Sequence, residues 1–349
     1  MNEPAESRRH FASDNYSGVC PEVMAAIQQA NQAHTPSYGD DPWTARATQL
    51  VRELFETDCD VFFVFNGTSA NALSVATMCE SYSRVICYSH SHLMCDECGA
   101  PGFFSHGTTL QGIFAPNGKL TPSLVEQAAR ARTDTHHNKA DALSITQATE
   151  LGTVYSLDEV RALGATAKQL GLGFHMDGAR VANAIASLGC KPRAITWEAG
   201  LDVLSLGGTK NGLLCAEAVV FFNRDLARDF EYRRKQSGQL SSKMRFLAAQ
   251  WIGALETGPW LRYAKHGNAM AQRLEKGLLS VPAAKVLYPR QANGVFVALP
   301  RAVCERLWQR GWRFYTDVGP DGAARLMCSW DTTASDVDNF VLELAEAMK

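Results

Sequence analysis

Lys210 stands in the stretch Gly207-Gly208-Thr209-Lys210-Asn211-Gly212, between two largely apolar runs, 201–206 and 213–222. Both runs read as buried strands. A lysine between them is costly unless some chemistry compensates its burial. A primary amine at a strand end can form an imine with an aldehyde once it has lost its proton, which partial burial among cations favours. Other polar groups follow other apolar runs in the same way. Gly67, Thr68 and Ser69 come after VFFVF (61–65), where a helix begins, and free backbone N–H groups there suit an anion such as phosphate. His90 and His92 follow RVICYS (84–89), and an imidazole there could stack on an aromatic ring or move protons. Glu150 follows ALSITQ (142–147). Asp177 ends GFHMD (173–177), with Arg180 three residues on. A buried carboxylate there has reason to face a protonated ring nitrogen.

Taken singly, each feature has an ordinary explanation: a helix cap, a solvated loop, a surface ion pair. Taken together they supply a phosphate seat, a partner for a pyridine nitrogen, a stacking histidine and an imine-forming lysine. That set matches pyridoxal 5′-phosphate (PLP). The sequence has no GxGxxG and no GxxxxGK[ST], so neither a dinucleotide nor a nucleoside triphosphate is indicated.

The elements that must position these groups alternate along the chain. Short apolar strands separated by amphipathic helices imply a largely parallel sheet wrapped by helices, with ligands at the carboxyl ends of its strands. SLDEVRALGATAKQLG, with Ser156 as cap, is one such helix. After 223, helical sequence runs from 225 to about 279, broken at GPW (258–260), and is followed by short strand-like runs. The expected organisation is an N-terminal arm and large domain over 1–257, then a smaller α+β domain over 258–349. The 349 residues are 46% apolar and 20% charged, with a net charge of −2. This balance gives no basic field for nucleic acid or an anionic membrane. No apolar run is long enough to span a bilayer, and the first residues lack the apolar core of a signal peptide, so a cytoplasmic protein is expected. The close pair Cys95 and Cys98 has metal or redox spacing, but no second ligand pair stands at a usual interval, and no metal is expected.

FASDNYSG (11–18), YGDD (38–41), NGTSAN (66–71), HxxxxECGA (92–100), HMDGAR (175–180), GGTKNG (207–212) and ARLMCSW (324–330) occur in that order. Together they resemble the L-threonine aldolases of the beta-eliminating lyase family, closest to the low-specificity and phenylserine aldolase branch. The resemblance implies a PLP-dependent fold type I enzyme, aspartate-aminotransferase-like, with a mostly parallel sheet in its large domain. It implies an aldehyde-lyase that cleaves L-threonine or related β-hydroxy-α-amino acids to glycine and an aldehyde. By position, Lys210 would carry PLP, Asp177 would pair with the ring nitrogen, and Gly67 and Thr68 would bind the phosphate. His92 would stack on the ring and Arg180 would lie near it. Ser13, Arg180 and Arg325 would grip the substrate carboxylate. The resemblance further implies a homodimer or homotetramer with shared sites, in which Tyr38 and Lys235 or Lys243 come from the neighbouring subunit.

One departure stands out. Where many relatives carry a histidine, in a stretch like ENTHNG, this chain has QATELG with Glu150. The base that takes the substrate's hydroxyl proton is therefore open among His92, Glu150 and a water, with His92 favoured for its near-neutral pKa. Serine hydroxymethyl transfer, β-elimination, racemisation and a non-catalytic binding role are the rival readings. Trp43, Phe103, Phe104 and Tyr315 are candidate walls for the aldehyde half.

Overall fold

The computed structural model describes residues 10–282 and 284–349. Seven strands form the large sheet: β1 (Asp60–Val64), β2 (Ser83–Tyr88), β3 (Thr109–Ile113), β4 (Lys139–Thr146), β5 (Gly173–Gly178), β6 (Val203–Leu206) and β7 (Glu217–Phe221). Their spatial order is β1-β7-β6-β5-β4-β2-β3. β7 runs against both its neighbours, and the other six share one direction. Strands covered by helices on both faces need apolar side chains on both faces, so β2, β6 and β7 are largely apolar and buried. The edge strand β3 escapes that reading. It pairs only with β2, and its Thr109, Gln111 and Gly112 are not fully buried.

The expected helical stretch after 223 resolves into Phe230–Gln236, Arg245–Leu255 and Pro259–Leu279. Gly238 and Gly258 interrupt it at positive φ (75° and 77°), where a glycine is nearly strain-free. A second sheet follows, of β8 (Lys285–Val286), β9 (Gly294–Ala298), β10 (Tyr315–Val318) and β11 (Ala323–Met327), antiparallel in the order β10-β11-β9-β8. Helix Pro259–Leu279 joins the two cores: Trp260 and Ala264 pack in the large one, and Ala271, Leu274 and Leu278 in the second.

The N-terminal arm is anchored in the second core. Phe11 packs against Trp312 and Phe340, with ring centroids 5.7 and 5.0 Å away. Its carbonyl accepts the N–H of Met327 at 2.8 Å. This places Ser13 and Asp14 over the carboxyl ends of β4, β5 and β6, where the parallel strands deliver Glu150, Asp177 and Lys210.

Candidate active site

Lys210 lies on a single 3-10 turn, Thr209–Asn211, directly after β6. The turn is held from below by Glu217 of β7, whose carboxyl accepts the N–H of Gly208 at 2.7 Å and of Thr209 at 3.4 Å. Burial raises the pKa of Glu217, opposed by those hydrogen bonds and by Lys210. Gly207 has no room for a side chain: a Cβ there would sit 2.4 Å from the carbonyl oxygen of Ala179. Lys210 therefore comes up beside Asp177, at the end of β5. Asp177 accepts the N–H of Ala179 at 2.9 Å and the side-chain amide of Asn71 at 2.8 Å. Burial opposes its ionisation, but Lys210, His92 and these donors hold its carboxyl below the usual carboxylate range.

Asn71 links this carboxylate to a second one. Its amide also reaches Glu97 at 3.0 Å, and Glu97 takes the Nδ1 of His92 at 2.7 Å. Glu97 is 2% exposed, so the His92 pair is sheltered on one side. That hydrogen bond raises the His92 pKa against the opposing effect of burial. His92 also donates its backbone N–H to Glu150 Oε1 at 2.9 Å.

On the opposite wall, Arg180 makes a two-pronged pair with Asp14, Nε to Oδ2 at 2.7 Å and Nη2 to Oδ1 at 2.8 Å. Asn293 adds a third donor to Asp14 at 3.1 Å. Arg325, on β11, donates from Nη2 to the carbonyl of Ala12 at 3.0 Å. Its Nε is buried with no partner among the described residues, and its guanidinium stacks 5.0 Å from the Tyr315 ring. Burial, and then Arg180, lower its pKa. A carboxylate is the ligand that such a group favours.

These residues line two adjoining cavities of about 630 and 390 Å³, which share Gly67, His92, Asp177 and Lys210. Ser13, Glu150, Arg180 and Arg325 line the larger; Thr68 and Glu217 line the smaller. The smaller one opens onto the start of helix Gly67–Met78, capped by Asn66, whose side chain accepts the N–H of Ser69 at 2.9 Å. The N–H groups of Gly67 and Thr68 lie in its first turn, where an anion is favoured.

Residues 10–301 match the model of the beta-eliminating lyase family. The chain belongs to the beta-eliminating lyase family. Curated relatives of this lyase include the low specificity L-threonine aldolases of a Pseudomonas sp. and of Pseudomonas aeruginosa. The first is 52% identical over 98% of this chain and 99% of its own length; the second is 54% identical over 97% and 98%. Among solved structures, a threonine aldolase from Leishmania major is 27% identical, with a TM-score of 0.91 over 97% of this chain and 99% of that one. The lyase thus has the fold type I architecture expected from its motifs.

Other expected residues lie apart. Tyr38 and Lys235 meet each other, Nζ 4.7 Å from the ring centroid, but neither lines either of these two cavities, and nor does Lys243. Of the four candidate aromatics only Tyr315 lines the larger cavity; Phe103 is 74% exposed, while Trp43 and Phe104 pack against hydrophobic clusters. Cys95 and Cys98 are exposed free thiols. Sequence reasoning gave no role to Asp14, Asn71, Glu97, Glu217 or Asn293. Asp14, Asn71 and Glu97 lie inside the quoted motifs, but their partners are distant in sequence.

Proposed function

We propose that this lyase is a PLP-dependent aldolase that cleaves L-threonine, L-allo-threonine and related L-β-hydroxy-α-amino acids, such as phenylserine, to glycine and an aldehyde. The observation that carries the reading is the convergence of Lys210, Asp177 and His92 on one cavity, beside an arginine with a buried nitrogen that has no partner among the described residues. The residues present fit the cofactor. Gly207 lets the strand end pack against Ala179 at the wall of the smaller cavity, Asp177 is held ionised for a ring nitrogen, and the first turn of helix Gly67–Met78 offers N–H groups to a phosphate. When bound, PLP supplies a sink for the electron pair released at Cα.

Lys210 would hold the cofactor, with His92 against its face. Arg325 and Ser13 would bind the substrate carboxylate and so fix which bond at Cα stands ready to break. Arg180 has both prongs on Asp14 and would serve as a fixed positive wall for that carboxylate. Tyr38 and Lys235 would complete the site of a neighbouring subunit in a homodimer or homotetramer. A cytoplasmic location is consistent with ten free thiols and no disulfide among the described residues.

Purified protein loaded with PLP should release aldehyde from L-threonine, L-allo-threonine and L-phenylserine without added folate, and show an absorbance band of bound cofactor. Ammonia and keto acid from L-serine, with no aldehyde from the other three, would favour β-elimination instead. Absence of a cofactor band would overturn the reading altogether.

A further inference from the structure

Glu150 stands where the motif comparison expects a histidine, and its two carboxyl oxygens are treated very differently. Oε1 accepts the Thr146 hydroxyl at 2.7 Å and the backbone N–H of His92 at 2.9 Å. Oε2 is buried and has no partner among the described residues, although the side chain lines the same cavity as Lys210 and Arg325. A buried carboxyl oxygen without a donor is costly, and two good bonds on the other oxygen leave the group little freedom to turn away. A hydroxyl proton arriving in the cavity would meet that need.

We propose that Glu150 is the catalytic residue that takes the substrate's β-hydroxyl proton, through Oε2, with Thr146 and the His92 backbone fixing its aim. The inference rests on the aldolase reading. It replaces His92 in that role. The Nδ1 of His92 is tied to buried Glu97 at 2.7 Å, and this bond favours the imidazolium, which has no lone pair for a proton. Around Glu150 stand Asp177 and Arg180 at and beyond the end of β5, and Tyr88 and Cys87 of β2. His92 and Cys95 of the short helix that follows, and Tyr155, complete the surroundings. Burial raises the Glu150 pKa, and Asp177 adds to that rise, while Thr146 and the His92 N–H oppose it. A carboxylate moved in this direction is a stronger base than an ordinary one at neutral pH.

The step balances simply. The hydroxyl proton passes to Oε2, the O–H pair becomes the second bond of the aldehyde C=O, and the Cα–Cβ pair stays with the glycine half. Protonation of Cα and loss of the proton from Glu150 restore the starting count.

The test separates this step from the rest of the site. In Glu150→Gln, kcat for L-threonine cleavage should fall about a hundredfold or more, while exchange of the glycine α-hydrogen in D₂O stays within about threefold of wild type. That exchange needs no hydroxyl proton transfer. The bound-cofactor spectrum should be unchanged. Cleavage within about threefold of wild type, or equal loss of cleavage and exchange, overturns the proposal. In His92→Asn the acid limb of the kcat/KM profile should persist; its disappearance would give the proton to His92. A wild-type protein that exchanges glycine but cleaves no β-hydroxy amino acid would overturn the aldolase reading, and this one with it.

Discussion

At the amino edge of the large sheet, Asp202 accepts the N–H of Phe174 at 2.9 Å and the side-chain amide of Asn223 at 3.0 Å, and Lys139 pairs with Asp141 near solvent. At the carboxyl edge, Asp14, Glu97 and Asp177 are each no more than 4% exposed, with Arg180 and Lys210 beside them. Both edges have cavities: one of about 760 Å³ at the amino edge, and the adjoining pair of about 630 and 390 Å³ at the carboxyl edge. The cations of the amino-edge cavity, Arg161 and Lys168, are exposed. A large cavity alone therefore does not mark the site. What marks it is charge kept from water by other charge, with a few buried atoms unpaired, an arrangement that costs stability and is justified by chemistry.

The largest effect that would sharpen this contrast comes from two lysines. Lys210→Ala should lower aldehyde release by at least about a thousandfold and abolish the bound-cofactor band, whereas Lys168→Ala at the other cavity should leave both unchanged. A Lys210→Ala protein retaining the band would break the comparison. Asp14→Ala comes next. It leaves Arg180 buried without its carboxylate, and chemical denaturation should show a loss of about 3–5 kcal/mol. Asp202→Asn should lose only about 1 kcal/mol, since its one amide oxygen can still accept the Phe174 N–H and the Asn223 amide that loses its acceptor is exposed to water.

Gly207→Ala and Gly164→Ala form a closer pair. A Cβ on Gly207 would press on Ala179, and one on Gly164 on the carbonyl of Ala199. Both should lower stability by about 1–3 kcal/mol or more. Only Gly207→Ala should also weaken PLP binding, read by titrating absorbance. Smallest is the pH effect. The hydrogen bond that His92 donates to Glu97 raises the His92 pKa. The stability it contributes is complete below the ordinary histidine value of about 6.5 and is lost as pH rises through the raised one. In Glu97→Gln that window should close, and NMR titration should find His92 at lower pKa. Asp158→Asn, in an exposed pair with Arg161, should move Tm by less than about 2 °C at any pH.

The strand ends were legible because buried parallel strands spell themselves as apolar runs, and whatever polar residue follows each run is forced to the carboxyl edge. Lys210, Asp177, Glu150 and His92 were found that way. Arg325 and Ser13 needed the motif resemblance. Asp14, Asn71 and Glu97 were quoted in motifs but had no visible work, because a buried carboxylate is defined by its partner. Asp14 and Arg180 are 166 residues apart, and Asn71 and Asp177 are 106 apart. No local pattern encodes such a pairing. β3 was missed for the converse reason: half-exposed, it lacks the apolar signature that marked its neighbours.

The arm that carries Phe11, Ser13 and Asp14 sets a timetable for synthesis. Its first residues leave the ribosome before any strand exists, yet the Arg325 bond to Ala12 spans 313 residues, and Phe11 waits for Trp312 and Phe340. The large sheet can assemble while the chain is still growing. The contacts that anchor Phe11 and Ala12 cannot, since they need residues 312, 325 and 340. Arg325, which lines the cavity, is thus made only after every strand of the large sheet.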